Sequence, residues 1–227
     1  MCGRYTFQHT EALRRLIEQL TGQAYEDMVA RYNVAPTQAM PVVTKRPKPV
    51  ATRMRWGPLY RLGNSAPSLM INARSETAHQ KVFKHAVQRR RCLVPADGFF
   101  EWDRRQKTKA PYLFRVRDEA PFWIAGIYEG KSPEADEAFL VLTTAPNELV
   151  APFHDRMPVM LDAPAAARWL EPGPMSPADL SSICVPYNAA AMGARAVNPV
   201  VNSARNDGPE CIAPAAPNND PQAGFDF

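Results

Sequence analysis

The chain has 227 residues, 45% hydrophobic and 22% charged, with a formal net charge of +4 and a pI of about 8.9. That length and balance fit one soluble domain with a real core, and argue against a fibrous or disordered chain. No run approaches the roughly 18 apolar residues of a membrane helix, and the first residues lack a signal peptide's basic and apolar regions, so a cytoplasmic protein with no membrane partner is expected.

In chain order, MCGRYTF is an N-terminal segment whose plainest reading makes Cys2 an incidental small residue of a first strand, and Thr10 caps a helix running to about Leu20. Leu13, Leu16, Ile17 and Leu20 recur at helical spacing, and Gly22 is its stop. AMPVVT is a strand, and Val50 to Trp56 (VATRMRW) alternates small or apolar residues with Arg53 and Arg55. The Gly, Pro, Asn and Ser-rich stretch GPLYRLGNSAPS is a loop leading into LMINARSE. A second helix is expected from about Glu76 to Gln88, ending in three arginines at 89 to 91. Strand patterns follow at RCLVPA, YLFRV, FWIAGIY, AFLVLTT and MPVML. A helix begins near Pro164 with Asp162 as its cap, and a short one opens at Ser176 and Pro177. ARAVNPVV is the last strand, and the Pro, Ala and Asn-rich stretch from about Ala213 is expected to be a disordered tail. Many strands without regular helix alternation predict an α+β fold with a largely antiparallel, barrel-like β core and a few peripheral helices. No repeat or composition break divides it, so residues 1 to 212 form a single expected domain.

Arginine supplies 20 of the 27 basic residues. Its planar fork grips phosphate bidentately, although an arginine excess also follows from a GC-rich genome. The four cysteines, Cys2, Cys92, Cys184 and Cys211, are widely spaced and form no CxxC pair, so buried or reactive thiols are expected rather than zinc ligands. No metal or other cofactor is implied.

Five stretches carry polar residues where a core pattern calls for apolar ones: MCGRY, RYNVAPTQ (31 to 38), INARSET (71 to 77), ADGFFEW (96 to 102) and FHDRMPV (153 to 159). Each alone has a structural explanation, such as a turn for Asn33 or Asn72, an ion pair for Glu101 and a loop hydrogen bond for His154. The ordered set is far more specific. Over residues 1 to 212 it resembles the SRAP (SOS-response-associated peptidase) family, which opens with Met-Cys-Gly-Arg and carries the other four stretches in this order.

The resemblance implies a protein that crosslinks itself covalently to abasic sites in single-stranded DNA, as part of the DNA damage response. It places Cys2 as the nucleophile, Asn72, Glu101 and His154 at active-site positions, and Arg4 and Arg74 at phosphate-binding positions. Asn33, Tyr60, Thr143 and Arg156 complete the expected DNA-binding set. Some bacterial relatives carry paired tryptophans before INAR; here Leu59 and Tyr60 stand in that loop. The resemblance further implies a monomer acting at the bacterial nucleoid, with lyase-like or self-processing peptidase activity as additional expectations.

The chemistry also stands on the residues. Methionine aminopeptidase removes Met1 when the next side chain is small, leaving an amine and a thiol on neighbouring carbons of Cys2. An abasic deoxyribose opens to an aldehyde, which an α-amine of pKa about 7.7–8.0 attacks at neutral pH. The thiol then adds to the imine carbon and closes a five-membered thiazolidine. Glu101 and His154 suit the proton transfers at the sugar oxygen and the imine, and Asn72 suits holding Cys2 in place. The rival is an N-terminal-nucleophile cysteine amidohydrolase or peptidase, which attacks an amide with the same thiol. A DNA-binding module with an incidental Cys2 is the third reading.

Overall fold

The computed structural model describes residues 2–60, 66–103, 105, 109–130 and 136–215. In chain order the first elements are β1 (Tyr5–Phe7), α1 (Thr10–Thr21), β2 (Arg31–Val34), β3 (Ala39–Lys45), β4 (Pro49–Trp56), β5 (Leu59–Tyr60), β6 (Ser68–Leu69) and β7 (Asn72–Arg74). Next come α2 (Ser75–Ala78), α3 (Lys84–Arg89), β8 (Arg91–Ala96), β9 (Gly98–Asp103), β10 (Ala110–Val116), β11 (Phe122–Glu129) and β12 (Ala138–Thr144). The chain continues through β13 (Met157–Pro158), β14 (Met160–Leu161), α4 (Ala163–Leu170), α5 (Pro177–Ile183) and β15 (Met192–Ala196).

Two sheets carry the fold. In one, β12, β4, β3, β8 and β11 pair in turn and β11 pairs back with β12, which closes a ring of strands. Every pairing around that ring is antiparallel except β12 with β4, and β7 adds a second parallel pairing on β12. The other sheet runs β15-β10-β9-β1-β2, antiparallel throughout. The α+β, largely antiparallel, barrel-like expectation is met. Closure removes the strand edges that would otherwise stay exposed.

Apolar residues from both sheets fill the space between them. Trp56 from β4 is fully buried, lies 5.3 Å from the Tyr5 ring of β1, and is stacked on Phe139 of β12 at 6.2 Å. Its Nε1 donates to the Ile71 carbonyl at 2.9 Å, so one indole joins the N-terminal strand, the barrel and the residue before β7.

Local signals set most boundaries. Gly22 ends α1 in the left-handed conformation at φ 68°, where a side chain is disfavoured. Asp162 caps α4 by accepting from the Ala165 N–H at 2.9 Å, and Ser176 opens α5 with a capping box closed by Asp179. At α1 the expected Thr10 cap is replaced. Thr10 is the first helical residue, and the buried Asp97 carboxylate takes the Gln8 and His9 N–H groups at 2.8 and 2.7 Å.

The helix expected from Glu76 to Gln88 divides into α2, a 3₁₀ turn and α3. Ala78 and Val87 are both fully buried in one apolar cluster. Nine residues of one straight helix would turn them about 180° apart, so burying both requires the break. Main-chain pairing continues at the start of the expected tail. Ala213 and Ala215 hydrogen-bond to Asn198 and Ala196, where the end of β15 leaves main-chain groups to satisfy.

Candidate active site

Cys2 lies three residues before the start of β1, the strand between β9 and β2, and is 1% exposed. Tyr5 pairs with Phe99, which sets Glu101 of β9 across from the residue next to Cys2. Glu101 shares the inward face with Phe99 because strand side chains alternate, and it too is 1% exposed. Burial, and then the negative charge of Glu101, push the Cys2 thiol well above its ordinary value, so the sulfur is held protonated. From the barrel side, Asn72 Nδ2 donates to the Cys2 carbonyl at 2.9 Å. Cys2 is thus held between residues of both sheets.

His154 arrives on the turn that leads from β12 to β13. Its neighbour Phe153 packs at 4.6 Å on Tyr112, the residue directly opposite Glu101 on β10. The His154 Nδ1 lies 3.0 Å from the Arg156 N–H and 2.8 Å from an Asp155 carboxylate oxygen. A neutral ring accepts from Arg156 and carries its proton on Nε2. A protonated ring donates to Asp155 instead. The imidazole therefore has a partner on this side in either state, which suits a group that takes up and releases protons.

Arg156 and Thr143 are both buried and bonded to each other. The Arg156 guanidinium donates to the Thr143 carbonyl at 2.5 Å and forks onto Glu76 at 2.7 and 2.8 Å. That fork holds the Glu76 carboxyl below its usual range. Arg74, paired with Thr143 in the β7–β12 register, is exposed, and no described residue hydrogen-bonds to its guanidinium.

Arg4 is half-buried, with NH1 donating to Asn33 Oδ1 at 2.8 Å and to the Val201 carbonyl at 2.9 Å. Its guanidinium carbon lies 5.9 Å from the centre of the Trp102 ring. Asn33 is wholly buried, and its amide is engaged within the protein. Tyr60 is buried edge-on against Phe83 and donates to Glu129 at 2.5 Å, whereas Leu59 beside it is 58% exposed. Much of the loop that carries paired tryptophans in some relatives, residues 61–65 here, lies outside the described residues.

The structure therefore brings Cys2, Asn72 and Glu101 together, sets His154 beside the partner strand of Glu101, and lines Arg4 and Arg74 along the chain segments that flank them. Asn33, Tyr60, Thr143 and Arg156 it places inside. Sequence reasoning passed over Asp155, Glu76 and Trp102, although all three stand within the stretches FHDRMPV, INARSET and ADGFFEW. Among the described residues no group of three or more His, Cys, Asp or Glu side chains is placed to hold a metal ion.

Known proteins share this arrangement of sequence and fold. The chain is 35% identical to the abasic site processing protein YoqW of Bacillus subtilis, over 93% of this chain and 99% of that one. It is 32% identical to YedK of Escherichia coli, also named an abasic site processing protein, over 94% and 100% of the two chains. The rat protein HMCES, of the same description, is 29% identical over 95% of this chain and 76% of its own. Among solved structures, a phage-related protein of Bordetella bronchiseptica superposes with a TM-score of 0.69 at 27% identity, covering 87% of this chain and 94% of that one. A Bacteroides thetaiotaomicron protein reaches a TM-score of 0.75 at 23% identity over 93% and 100%, a likeness of fold. The model of the SOS response associated peptidase (SRAP) family matches residues 1–204, and the chain belongs to that family.

Proposed function

We propose that this protein processes abasic sites in DNA by crosslinking itself to them through Cys2, with Met1 removed. The observation that carries the reading is the placement of Cys2. Its carbonyl is held by Asn72 at 2.9 Å while its sulfur lies in the field of the buried Glu101 carboxylate. The names of the relatives, abasic site processing proteins, supply the substrate class.

The order of steps follows from the charges. A thiol held protonated is a poor first nucleophile, whereas a free α-amine is partly neutral at pH 7. The amine nitrogen attacks the aldehyde carbon of the opened deoxyribose to give a carbinolamine. Loss of one water yields the imine. The sulfur then adds to the imine carbon, its proton passes to the nitrogen, and the thiazolidine closes with no further atom lost. Glu101 relays that proton, taking it from the sulfur and returning it to the nitrogen. His154 serves the dehydration, donating a proton to the departing hydroxyl. Asn72 limits the motion of the Cys2 backbone and so favours ring closure. Arg74 and Arg4 contact phosphates flanking the lesion, and the protein's DNA is single-stranded, a preference that rests on the family resemblance.

In the amidohydrolase reading the sulfur attacks first, on an amide carbon, with the freed α-amine as its base. Intact mass spectrometry separates the two. A Met1-less protein incubated with a single-stranded oligonucleotide bearing one abasic site should gain the oligonucleotide mass less one water, stably and without borohydride. A processed protein that gains no mass would return the hydrolase reading to the front.

A further inference from the structure

We infer that Asn33 is a positioning residue for Arg4, acting through the guanidinium rather than touching DNA, and that the segment 199–207 is the frame that holds the pair. This rests on the proposed role of Arg4 as a phosphate contact and says how that contact is prepared.

Asn33 lies on β2 and is 0% exposed, so it cannot meet a ligand without unfolding its surroundings. Its Nδ2 faces three main-chain carbonyls, Val201 at 3.1 Å, Ser203 at 3.0 Å and Asn206 at 2.7 Å. Three acceptors on one side fix which end of the amide points there, because a flipped group would set its oxygen against three other oxygens. The Oδ1 is thereby aimed at Arg4. On the guanidinium, NH1 has two hydrogens and two acceptors, Asn33 Oδ1 and the Val201 carbonyl. NH2 has one long contact, 3.5 Å to the Asn202 carbonyl, and no described residue accepts from Nε. The edge formed by Nε and NH2 presents two parallel N–H groups, the pair that meets two phosphate oxygens at once. The clamp therefore occupies the end of the group that phosphate does not need and leaves the fork open.

The frame is itself tied down. Asp207 accepts from the Tyr32 and Asn33 N–H groups at 2.8 and 2.7 Å and forms an ion pair with Arg31, returning the segment to β2. Asn202 Oδ1 accepts from Trp102 Nε1 at 2.6 Å, which fixes the indole beside Arg4. A guanidinium fixed in this way loses less freedom on meeting phosphate than one on a free stem.

The test is the salt dependence of binding to a single-stranded oligonucleotide without an abasic site, so that crosslinking plays no part. Arg4→Ala should flatten the slope of log affinity against log salt by about 0.7, the value of one phosphate contact on a single strand. Asn33→Leu, close in volume but lacking the acceptor, should flatten it by a similar amount and add nothing further in the Arg4→Ala background. Asp207→Asn, which loosens the frame and leaves Asn33 and Arg4 in place, should shift the slope in the same direction, and it decides the question alone if Asn33→Leu fails to fold. Flattening by Arg4→Ala with native slopes in the other two variants would overturn the inference and leave the phosphate role of Arg4 standing. A native slope in Arg4→Ala would overturn both.

Discussion

At the scale of single residues, the site combines groups that need each other's burial. Cys2 and Glu101 are each 1% exposed, and burial first, then the carboxylate, raises the thiol's proton affinity. Replacing Cys2 with Ser keeps the amine but offers a hydroxyl that closes a much less stable ring. On the proposed chemistry we expect only a reversible imine, trapped by borohydride and lost without it, in place of the stable adduct expected of the native protein in the mass spectrum. On the proposed roles of Glu101 as base and His154 as acid, Glu101→Gln and His154→Ala should each slow crosslinking by about 10²–10⁴-fold in single-turnover gels, the usual worth of a positioned acid or base. Glu76 makes a prediction in pH. Arg156 holds its carboxyl low, so the pair's contribution to stability is complete above the unfolded carboxylate value of about 4.3 and fades as pH falls through the lower folded value. The stability gap between native protein and Glu76→Gln should stay level from pH 8 to 5 and close below pH 4 in urea titrations. With the Glu76 side chain half-exposed at 50%, solvent screening keeps the gap small.

Elements turn those residues into a geometry. The helix termini and the closure of the barrel are set by a few side chains whose loss should be local. Asp162→Ala removes the cap of α4, and a loss of about 1 kcal/mol is expected, seen as a lower denaturant midpoint at unchanged slope with crosslinking intact. Gly126 sits where β11 passes β8 and β12. A Cβ there would meet Cys92 Sγ at 2.9 Å and the Leu140 carbonyl at 3.1 Å. Gly126→Ala forces the buried Cys92 sulfur aside and presses on the Leu140 carbonyl. It should cost about 1–3 kcal/mol in the same measurement.

For the whole molecule, the decisive feature is that the site lies across two sheets. Cys2 and Glu101 come from one, Asn72 from the other, and Trp56 joins them through Tyr5, Phe139 and the Ile71 carbonyl. Trp56→Ala should therefore destabilise the protein by about 3–5 kcal/mol, as large core truncations do. It should also slow crosslinking in the fraction that remains folded, because Ile71 and Tyr5 stand one and three residues from Asn72 and Cys2. Stability loss with an unchanged crosslinking rate per folded molecule would show that the two sheets hold their site residues independently.

The sequence by itself determined what local chemistry can decide. The periodicity of Leu13, Leu16, Ile17 and Leu20, the stop at Gly22, and the caps Asp162 and Ser176 act within a few residues of where they stand. The five motif stretches stood out as polar residues in apolar runs, and it was the resemblance of the ordered set to the SRAP family that singled out Cys2, Asn72, Glu101 and His154 within them. Only the tertiary structure decided how those residues meet. The parallel pairing of β12 with β4 and β7 joins segments far apart in the chain, and no periodicity encodes it. The division of the helix after Ala78 follows from a core that claims both Ala78 and Val87. The parts played by polar residues belong to the same class. Asn33, Thr143 and Arg156 have the side chains of DNA contacts, yet hydrogen bonds from distant segments turn them inward. Residue type fixes what a group can donate or accept, and burial fixes to whom.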